Sequence, residues 1–542
     1  MENLIEVKSP IFSRYSLACL TLIGLAGFFI RFFYFPEGIP ITHDGYTAFW
    51  YANDLSISGT FPTDIFNVKV TNNGWPTFLS VFFYFFNSDN FSHYMDLQRY
   101  VTVIISIITI IPVFTLCRKF CGTGLSLLGT IFFVFQPRII ENSLLGITEP
   151  LFILLVLSCL VLFLQNNLKL KYISFAFLAL ACLVRYEGIV LILPLSFLFI
   201  FENRRNKIII PKFLLCITIF LLVLLPMLLV RMDTIGYDGI FSHSVSAVEV
   251  YSSGSKIVHG DIAVFSFVKA TALAVFPIFF IFLPLGIYGF FRRRSFDKYV
   301  ILSFLIFLSL PIIYASMREM SEPRYLLTLF PIFSLFSIYA VKEIIEKLEK
   351  KKMILIIAGF VVLSLSVVFL EYNKIDWEHE REAYQIGLEV HKRTSVINQY
   401  IPEEKYVYGK DDIFWNVGTF PILHSETERK VQTIKTYDSD KCIKDKAVET
   451  GCGWSNRQYD YASLNEFIRI GTDDSHTTKY GKNIILTHII ADENSNRPEF
   501  IKDVFENEAI PYLTKIYDSS EHGYQYHLKI FQIDYEKFEP VE

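Results

Sequence analysis

The sequence predicts a polytopic α-helical membrane protein of about eleven transmembrane helices, followed by a C-terminal extracytoplasmic α/β domain. Hydrophobic residues make up 52% of the 542 residues, and only 19% are charged, below the roughly 25% of ordinary soluble domains. Apolar runs that approach the length of a bilayer core recur up to residue 371 and then stop. The net charge of −4 carries no basic excess, so nucleic acid is not an expected partner.

Eleven apolar runs predict the membrane helices. They lie near 15–34, 95–116, 124–139, 149–164, 172–183, 188–201, 208–230, 265–291, 300–315, 325–341 and 353–370. Several of the middle runs are shorter than the about 20 residues that a straight span needs. Two polar clusters, Gln136-Pro137-Arg138 and Arg185-Tyr186-Glu187, interrupt this middle part. Because lipid does not tolerate such breaks, we expect these short helices to line a cavity.

Basic residues in every second connection set the expected orientation. They are Arg118-Lys119, Lys169 with Lys171, Arg204-Arg205 with Lys207, Arg292-Arg293-Arg294, and the lysines of 347–352. Positive charge favours the cytoplasmic side, so the N-terminus is predicted inside. The first run has no small-residue cleavage site after it and is expected to stay as a helix. An odd number of crossings then places the tail outside the cell membrane.

The chain is thus expected to divide into a transmembrane domain over 1–371 and a soluble extracytoplasmic α/β domain over 372–542. The outer loop 36–94 contains the aromatic run Phe82–Phe86, too short to span and expected to lie in the membrane interface. In the tail, pieces such as Leu528–Phe531 are typical of strands. Cys442 and Cys452 stand apart from the membrane runs, and two cysteines in an exported segment predict one disulfide.

Arginines collect at the predicted outer helix ends, against the usual charge rule. They are Arg31, Arg99, Arg138, Arg185, Arg231, Arg318 and Arg324. Acidic residues accompany them: Asp44, Asp54, Glu141, Glu149, Glu187, Glu319 and Glu322. Each arginine could staple helices by an ion pair or snorkel to lipid headgroups. Because a guanidinium also binds phosphate bidentately, seven on one side favour an anionic ligand there.

Four of these helix ends carry motifs that resemble one family. The motifs are Ile41–Ala52 with His43-Asp44, Asn142–Phe152 with Glu149-Pro150, Leu183–Gly188 with Arg185-Tyr186-Glu187, and Ser321–Leu327 with Glu322-Pro323-Arg324-Tyr325. In this order they resemble membrane glycosyltransferases of the C fold (GT-C), and most closely the protein O-mannosyltransferases and aminoarabinose-type transferases. The resemblance covers about residues 15–345.

The resemblance implies an enzyme that moves a hexosyl or pentosyl group from a polyprenyl- or dolichyl-phosphate donor. The acceptor would be a hydroxyl of a protein, lipid or glycan at the outer membrane face, as in mannosyltransferase-like protein glycosylation. In this interpretation Asp44 is the general base, with helix capping as its alternative role, and Glu149 is a second acid. The donor phosphate would bind Arg324, Arg185, Arg138 and Tyr325, with His43, Glu187 and Glu322 in the same pocket.

Cofactor needs and rival functions stay open at this point. A divalent metal ion between Asp44 and Glu149 is compatible with their hard oxygen ligands, but no spacing demands it, and no other cofactor is expected. Gly45 stands where some family members carry a second acid. An oligosaccharyltransferase-like enzyme is one alternative, although Trp377 and Trp454 stand alone instead of forming its Trp-Trp-Asp signature. A lipid or sugar transporter is the other.

Overall fold

The structure is a computed structural model that describes residues 13–39, 41, 43–61, 73–88, 91–205, 208–235, 238, 240, 261–292, 295–317, 322–348, 350–374, 377, 381–382, 385, 463–465, 488–492, 499–506, 509–525 and 527–538. The side chains of a few of these residues, His43 and Asp44 among them, lie outside the description. The chain forms two compact units. The first comprises Met1–Pro36, Thr47–Asp89 and Asp96–Ile375, and the second comprises Glu37–Tyr46, Asn90–Met95 and Asp376–Glu542.

Helices make up the described part of the chain up to residue 374. They are α1 (Arg14–Phe33), α2 (His43–Ser58), α3 (Gly74–Phe85), α4 (Phe91–Ile108), α5 (Ile110–Phe120), α6 (Thr123–Val134), α7 (Pro137–Ser143), α8 (Glu149–Phe163), α9 (Leu168–Val184), α10 (Ile192–Asn203), α11 (Ile209–Ile235), α12 (Asp261–Val275), α13 (Ile278–Phe291), α14 (Phe296–Ser316), α15 (Phe330–Leu348) and α16 (Lys351–Tyr372). Two 3₁₀ turns, Tyr186–Leu191 and Pro323–Leu329, lead directly into α10 and α15.

The predicted polytopic membrane architecture is confirmed. Among the described residues, seven helical stretches are long and apolar enough to cross a membrane, and nine if each of two bent pairs counts as one span. The predicted number of eleven would also require α8 and α9, which have only 15 and 17 residues. That number therefore stays a prediction.

Two apolar runs that the sequence suggested as single helices are broken. The run 124–139 bends by 54° between α6 and α7, and the run 265–291 bends by 106° between α12 and α13. Pro137 and Pro277 stand at these breaks. A proline interrupts a helix because it lacks the backbone N–H and clashes with the preceding turn.

Contacts at the helix ends identify which ends lie together in the first unit. The hydroxyl of Tyr34 donates to the carboxylate of Glu371, so α1 and α16 both finish at the same end, which we call the Tyr34 end. At the opposite end, Lys119 Nζ donates to the Leu164 carbonyl at 2.7 Å and pairs with Asp297 at 3.3 Å. The Tyr34 end corresponds to the predicted outer face, but its sidedness stays a prediction.

Glycines allow the closest helix contacts in this unit. A Cβ added at Gly286 in α13 would lie 2.1 Å from the Phe336 carbonyl oxygen of α15. Another at Gly129 in α6 would lie 2.6 Å from Cys117 Sγ of α5. Small residues let membrane helices approach until their backbones are nearly in contact, which maximises van der Waals packing.

The second unit contains a small antiparallel sheet. Its strands are β1 (His488–Asp492), β2 (Leu513–Asp518) and β3 (Leu528–Ile533), in the order β1-β3-β2. Helix α17 (Glu499–Glu506) packs on β1, and Val504, Ile489 and Phe531 share one apolar core. The strand predicted at Leu528–Phe531 is confirmed within β3. The extent of the predicted outer domain stays a prediction, and Cys442 and Cys452 lie outside the described residues.

The close approach of α13 and α15 predicts different outcomes for two glycines of α13. Gly286→Ala should lower the stability of the protein by about 1–3 kcal/mol, since the new methyl group meets backbone that cannot move aside cheaply. Gly289→Ala is the matched control, because its Cβ would meet only side chains, at 3.5 Å. The thermal unfolding midpoint in detergent measures the difference. Equal midpoints for the two variants would contradict the close packing described above.

Candidate functional site at the Tyr34 end

Three chain breaks bring acidic and arginine side chains together at the Tyr34 end. Helix α8 begins at Glu149 with Pro150 in its first turn, where the missing N–H leaves no bond unmade. Arg185 follows α9 in an extended conformation, with φ −145° and ψ 123°, and so turns the chain away from the helix axis. The turn Pro323–Leu329 packs against α8 and carries Arg324 and Tyr325.

Arg185 is held between two carboxylates. Its Nη1 donates to Glu149 Oε1 at 2.8 Å, and its Nη2 donates to Glu187 Oε1 at 2.9 Å. The Thr148 hydroxyl lies 3.3 Å from both Arg185 Nη1 and Glu149 Oε2, accepting from the first and donating to the second. The side chains of Glu149 and Arg185 are only 7% and 18% exposed. We call Glu149, Arg185 and Glu187 the acid–arginine cluster.

The charge of this cluster is well defined. Burial by itself would lower the pKa of Arg185, but the carboxylates of Glu187 and Glu149 raise it above its ordinary value. The guanidinium therefore stays protonated. One cation faces two acidic groups, and both of its terminal nitrogens already donate to carboxylates. In this arrangement Arg185 orders the cluster and has little capacity left for a second anion.

Arg324 is placed differently. It pairs with Glu322, and its guanidinium lies 5.6 Å from the centre of the Tyr325 ring. The Arg324 side chain is 27% exposed and that of Glu322 is 52% exposed. Tyr325 stands next to Arg324 on the turn that packs against α8, the helix that begins at Glu149. Exposed pairs contribute little to stability, so an incoming anion can replace Glu322 at small cost.

Arg138 has other partners. On α7 it donates from Nη1 to Glu141 Oε2 at 3.1 Å, and its guanidinium lies 4.9 Å from the centre of the Phe369 ring on α16. Helix α7 itself packs against α8 and against the turn Pro323–Leu329. The structure therefore places Arg138 next to the elements that carry the site, but joins it to Glu141 and not to Glu149 or Glu187.

The proposed base and the proposed metal pair stay predictions. Helix α2 begins at His43, so Asp44 lies within its first turn and not at the capping position before it. The side chains of His43 and Asp44 lie outside the described residues. Within the described part of the chain, no group of three or more His, Cys, Asp or Glu side chains could hold a metal ion.

The contacts that support the chain just before Arg185 were not predicted from the sequence. Asn73 Nδ2 donates to the Tyr51 hydroxyl at 2.7 Å, and the Arg231 guanidinium donates to Asn73 Oδ1. The next residue, Gly74, lies so near the end of α9 that a Cβ would be 2.6 Å from the carbonyl of Leu183. The start of α3 therefore rests on the backbone that leads into Arg185. Only Arg231 carried a signal in the sequence.

Comparisons with known proteins address the fold of this unit. A family model described as "Predicted membrane protein (DUF2079)" matches residues 78–407. The oligosaccharyltransferase of Archaeoglobus fulgidus in its apo form aligns with a TM-score of 0.52 and 12% identity over 73% of this chain and 61% of that one. The archaeal oligosaccharyltransferase AglB from the same organism, in complex with an inhibitory peptide and a dolichol-phosphate, aligns with a TM-score of 0.52 and 13% identity over the same shares.

These alignments show a shared fold. ArnT from Cupriavidus metallidurans, bound to undecaprenyl phosphate, aligns over 96% of this chain and 98% of that one, but its TM-score of 0.49 at 10% identity carries no weight here. No curated protein matches the sequence. The chain spans about 61% of the length of the oligosaccharyltransferase. The predicted GT-C-like fold is thus confirmed, whereas the O-mannosyltransferase type stays a prediction.

The geometry of the cluster predicts that Arg185 is needed for stability because of its acidic partners. Arg185→Met should destabilise the protein by about 3 kcal/mol or more, since it leaves buried carboxylate uncompensated. Adding Glu149→Gln to that variant should restore a large part of the loss. Arg292→Met is the matched control, with a side chain 65% exposed and 3.9 Å from Glu343; it should change stability by about 1 kcal/mol at most. Thermal midpoints that are equal in the single and double variants would refute the pairing.

Proposed function

The chain belongs to the family described as "Predicted membrane protein (DUF2079)" and has the fold of an archaeal oligosaccharyltransferase; from these premises we propose that it is a membrane glycosyltransferase. It transfers a sugar from a polyprenyl-phosphate donor to a hydroxyl acceptor at the extracytoplasmic membrane face. The related fold supports a lipid-linked donor, since one of its structures holds a dolichol-phosphate. The sugar is a hexose or pentose, and the acceptor is a protein, lipid or glycan, as the sequence motifs imply.

The observation that carries this proposal is that two arginines at the Tyr34 end differ in their surroundings. Arg185 is bonded to two carboxylates, whereas Arg324 is partly exposed. Sugar transfer releases a phosphate whose negative charge grows in the transition state. A cation placed where that charge develops is often the largest contribution to catalysis. Arg324 suits this task because it is partly exposed and its partner Glu322 is more exposed still. Arg185 has a different role, because it holds Glu149 and Glu187 in place.

The bond changes follow from these roles. The acceptor oxygen forms a bond to the anomeric carbon of the sugar while its proton moves to a carboxylate base, the role that the family resemblance gives to Asp44. The bond between that carbon and the phosphate oxygen breaks, and the electron pair leaves with the lipid phosphate. Arg324, exchanging Glu322 for the phosphate, neutralises the charge on that oxygen. Glu149 is not well suited to act as this base, because Arg185 donates to one of its oxygens and the Thr148 hydroxyl donates to the other.

Substitutions at Arg324 test this proposal. Transfer is measured in detergent with synthetic polyprenyl phosphates that carry a hexose or an aminopentose. Removing a charge-stabilising donor of this kind costs about 10²–10³-fold in rate, so Arg324→Ala should lose that much. Arg324→Lys should lose nearly as much, since an ammonium cannot replace the bidentate fork. Arg292→Lys, at the opposite end of the unit, is the control and should retain the wild-type rate.

The other outcomes are also informative. Near-normal transfer by Arg324→Lys would leave Arg324 as a structural residue. Movement of the intact lipid-linked sugar across a vesicle membrane, without transfer to any acceptor, would show that the protein is a transporter and not a glycosyltransferase.

A further inference from the structure

A buried polar network contacts the short connection that precedes Glu149, and the proposed reaction does not use it. Arg31 of α1 is fully buried, and its Nε donates to Ser143 Oγ at 3.0 Å. Its two terminal nitrogens donate to the Gly27 carbonyl at 2.9 Å and to Ser106 Oγ at 3.1 Å. These partners are all neutral, so the network does not bind the arginine as an ion pair. It connects α1 and α4 to the end of α7.

Two further side chains of α4 reach the same short connection. The Thr102 hydroxyl lies 2.8 Å from the carbonyl oxygen of Ser143 and also 2.8 Å from that of Arg99 in its own helix, so its one proton is shared between them. Gln98 Nε2 donates to the carbonyl oxygen of Gly146 at 2.6 Å. Both side chains are fully buried. Gly146 has φ +71°, the left-handed region that glycine enters without strain. The backbone between α7 and α8 is therefore held at Ser143 and at Gly146.

This connection leads directly into the acid–arginine cluster. Thr148 lies two residues after Gly146, and Glu149 follows it. Backbone carbonyls in a non-helical segment near lipid need partners from elsewhere in the protein. Gln98 and Thr102 supply them, and in doing so fix the path of the chain just before Glu149. A shift of the backbone in this segment would therefore lengthen the 2.8 Å contact between Glu149 and Arg185.

We propose that Gln98 and Thr102, supported by Arg31, are positioning residues that hold Glu149 against Arg185. Their importance for sugar transfer rests on the function proposed above; their effect on the cluster does not. None of the three needs to touch substrate. They act by setting where the first turn of α8 begins, and misplacement by about 1 Å at a reacting centre can cost as much as 10²-fold in rate.

Chemical protection of Arg185 tests this directly. Phenylglyoxal modifies arginines, and mass spectrometry of peptides resolves the rate at each site in the full-length protein. In the wild type, Arg185 should react slowly because both carboxylates cover it, with exposed Arg292 as the internal reference. Gln98→Met and Thr102→Val should each speed the modification of Arg185 by about fivefold, the ratio that the net free energy of one hydrogen bond corresponds to.

Two variants separate positioning from general stability. Thr109→Val removes a buried hydroxyl directly after α4 that donates to the Ile105 carbonyl of that helix at 2.8 Å. It should leave the rate at Arg185 unchanged. Thr102→Ser keeps the hydroxyl and should retain wild-type protection. All rates are compared well below each variant's thermal midpoint, and if Thr102→Val does not fold, Gln98→Met decides.

The possible results are distinct. Unchanged protection of Arg185 in both Gln98→Met and Thr102→Val, or an equal increase in Thr109→Val, would overturn the proposal. Where transfer is measurable, the two variants should lower kcat by about tenfold or more while KM changes little. If the wild type transfers no sugar, the proposed function fails, and the protection of Arg185 still decides whether these residues position the cluster.

Discussion

The central constraint on this protein is the cost of keeping charge where water is scarce. Glu149 and Arg185 are nearly buried, and each is tolerable there only because the other compensates it. The desolvation of both groups offsets much of their attraction, so the pair adds little net stability, but losing either partner alone is costly because the other charge is left uncompensated. The chain breaks at Gly146–Thr148 and at Arg185 exist in a helical protein because this pair has to be brought together. The neighbouring elements are arranged around it.

The surrounding structure holds both halves of the pair by their backbones. On one side, α4 bonds the carbonyl oxygens of Ser143 and Gly146. On the other, the start of α3 lies against the carbonyl of Leu183, two residues before Arg185. Arg324 lies on a turn and pairs with Glu322, whose side chain is 52% exposed. A rigid pair beside a reachable cation is a suitable arrangement for binding an anion without disturbing the charges already present.

The sequence alone predicted the helices, the breaks and the acidic site residues that depend on local sequence patterns. The apolar run 353–370 lies within the helix Lys351–Tyr372, and the polar cluster Arg185-Tyr186-Glu187 was expected to interrupt the helices, as it does between α9 and α10. The acidic partners Glu149 and Glu187 were predicted as site residues, and the structure places both on Arg185.

Local sequence patterns did not predict the long-range contacts or all the bends of the helices. Gln98 and Gly146 are 48 residues apart, and nothing in either segment specifies that the two will meet. The run 265–291 contains enough apolar residues for one span, so Pro277 was a weak sign of its break, whereas the polar cluster Gln136-Pro137-Arg138 had marked the break in the run 124–139. The burial of Arg31 among neutral groups could not be predicted either, because an arginine near a helix end is expected to have a partner of opposite charge.

A structure of the protein with a sugar-free polyprenyl monophosphate, determined by electron cryo-microscopy, would test the division between the two arginines most directly. We expect the phosphate to lie within hydrogen-bonding distance of the Arg324 guanidinium, with Glu322 displaced and the contact between Glu149 and Arg185 kept. A phosphate bound to Arg185 in place of Glu149, or one bound away from the turn Pro323–Leu329, would contradict it.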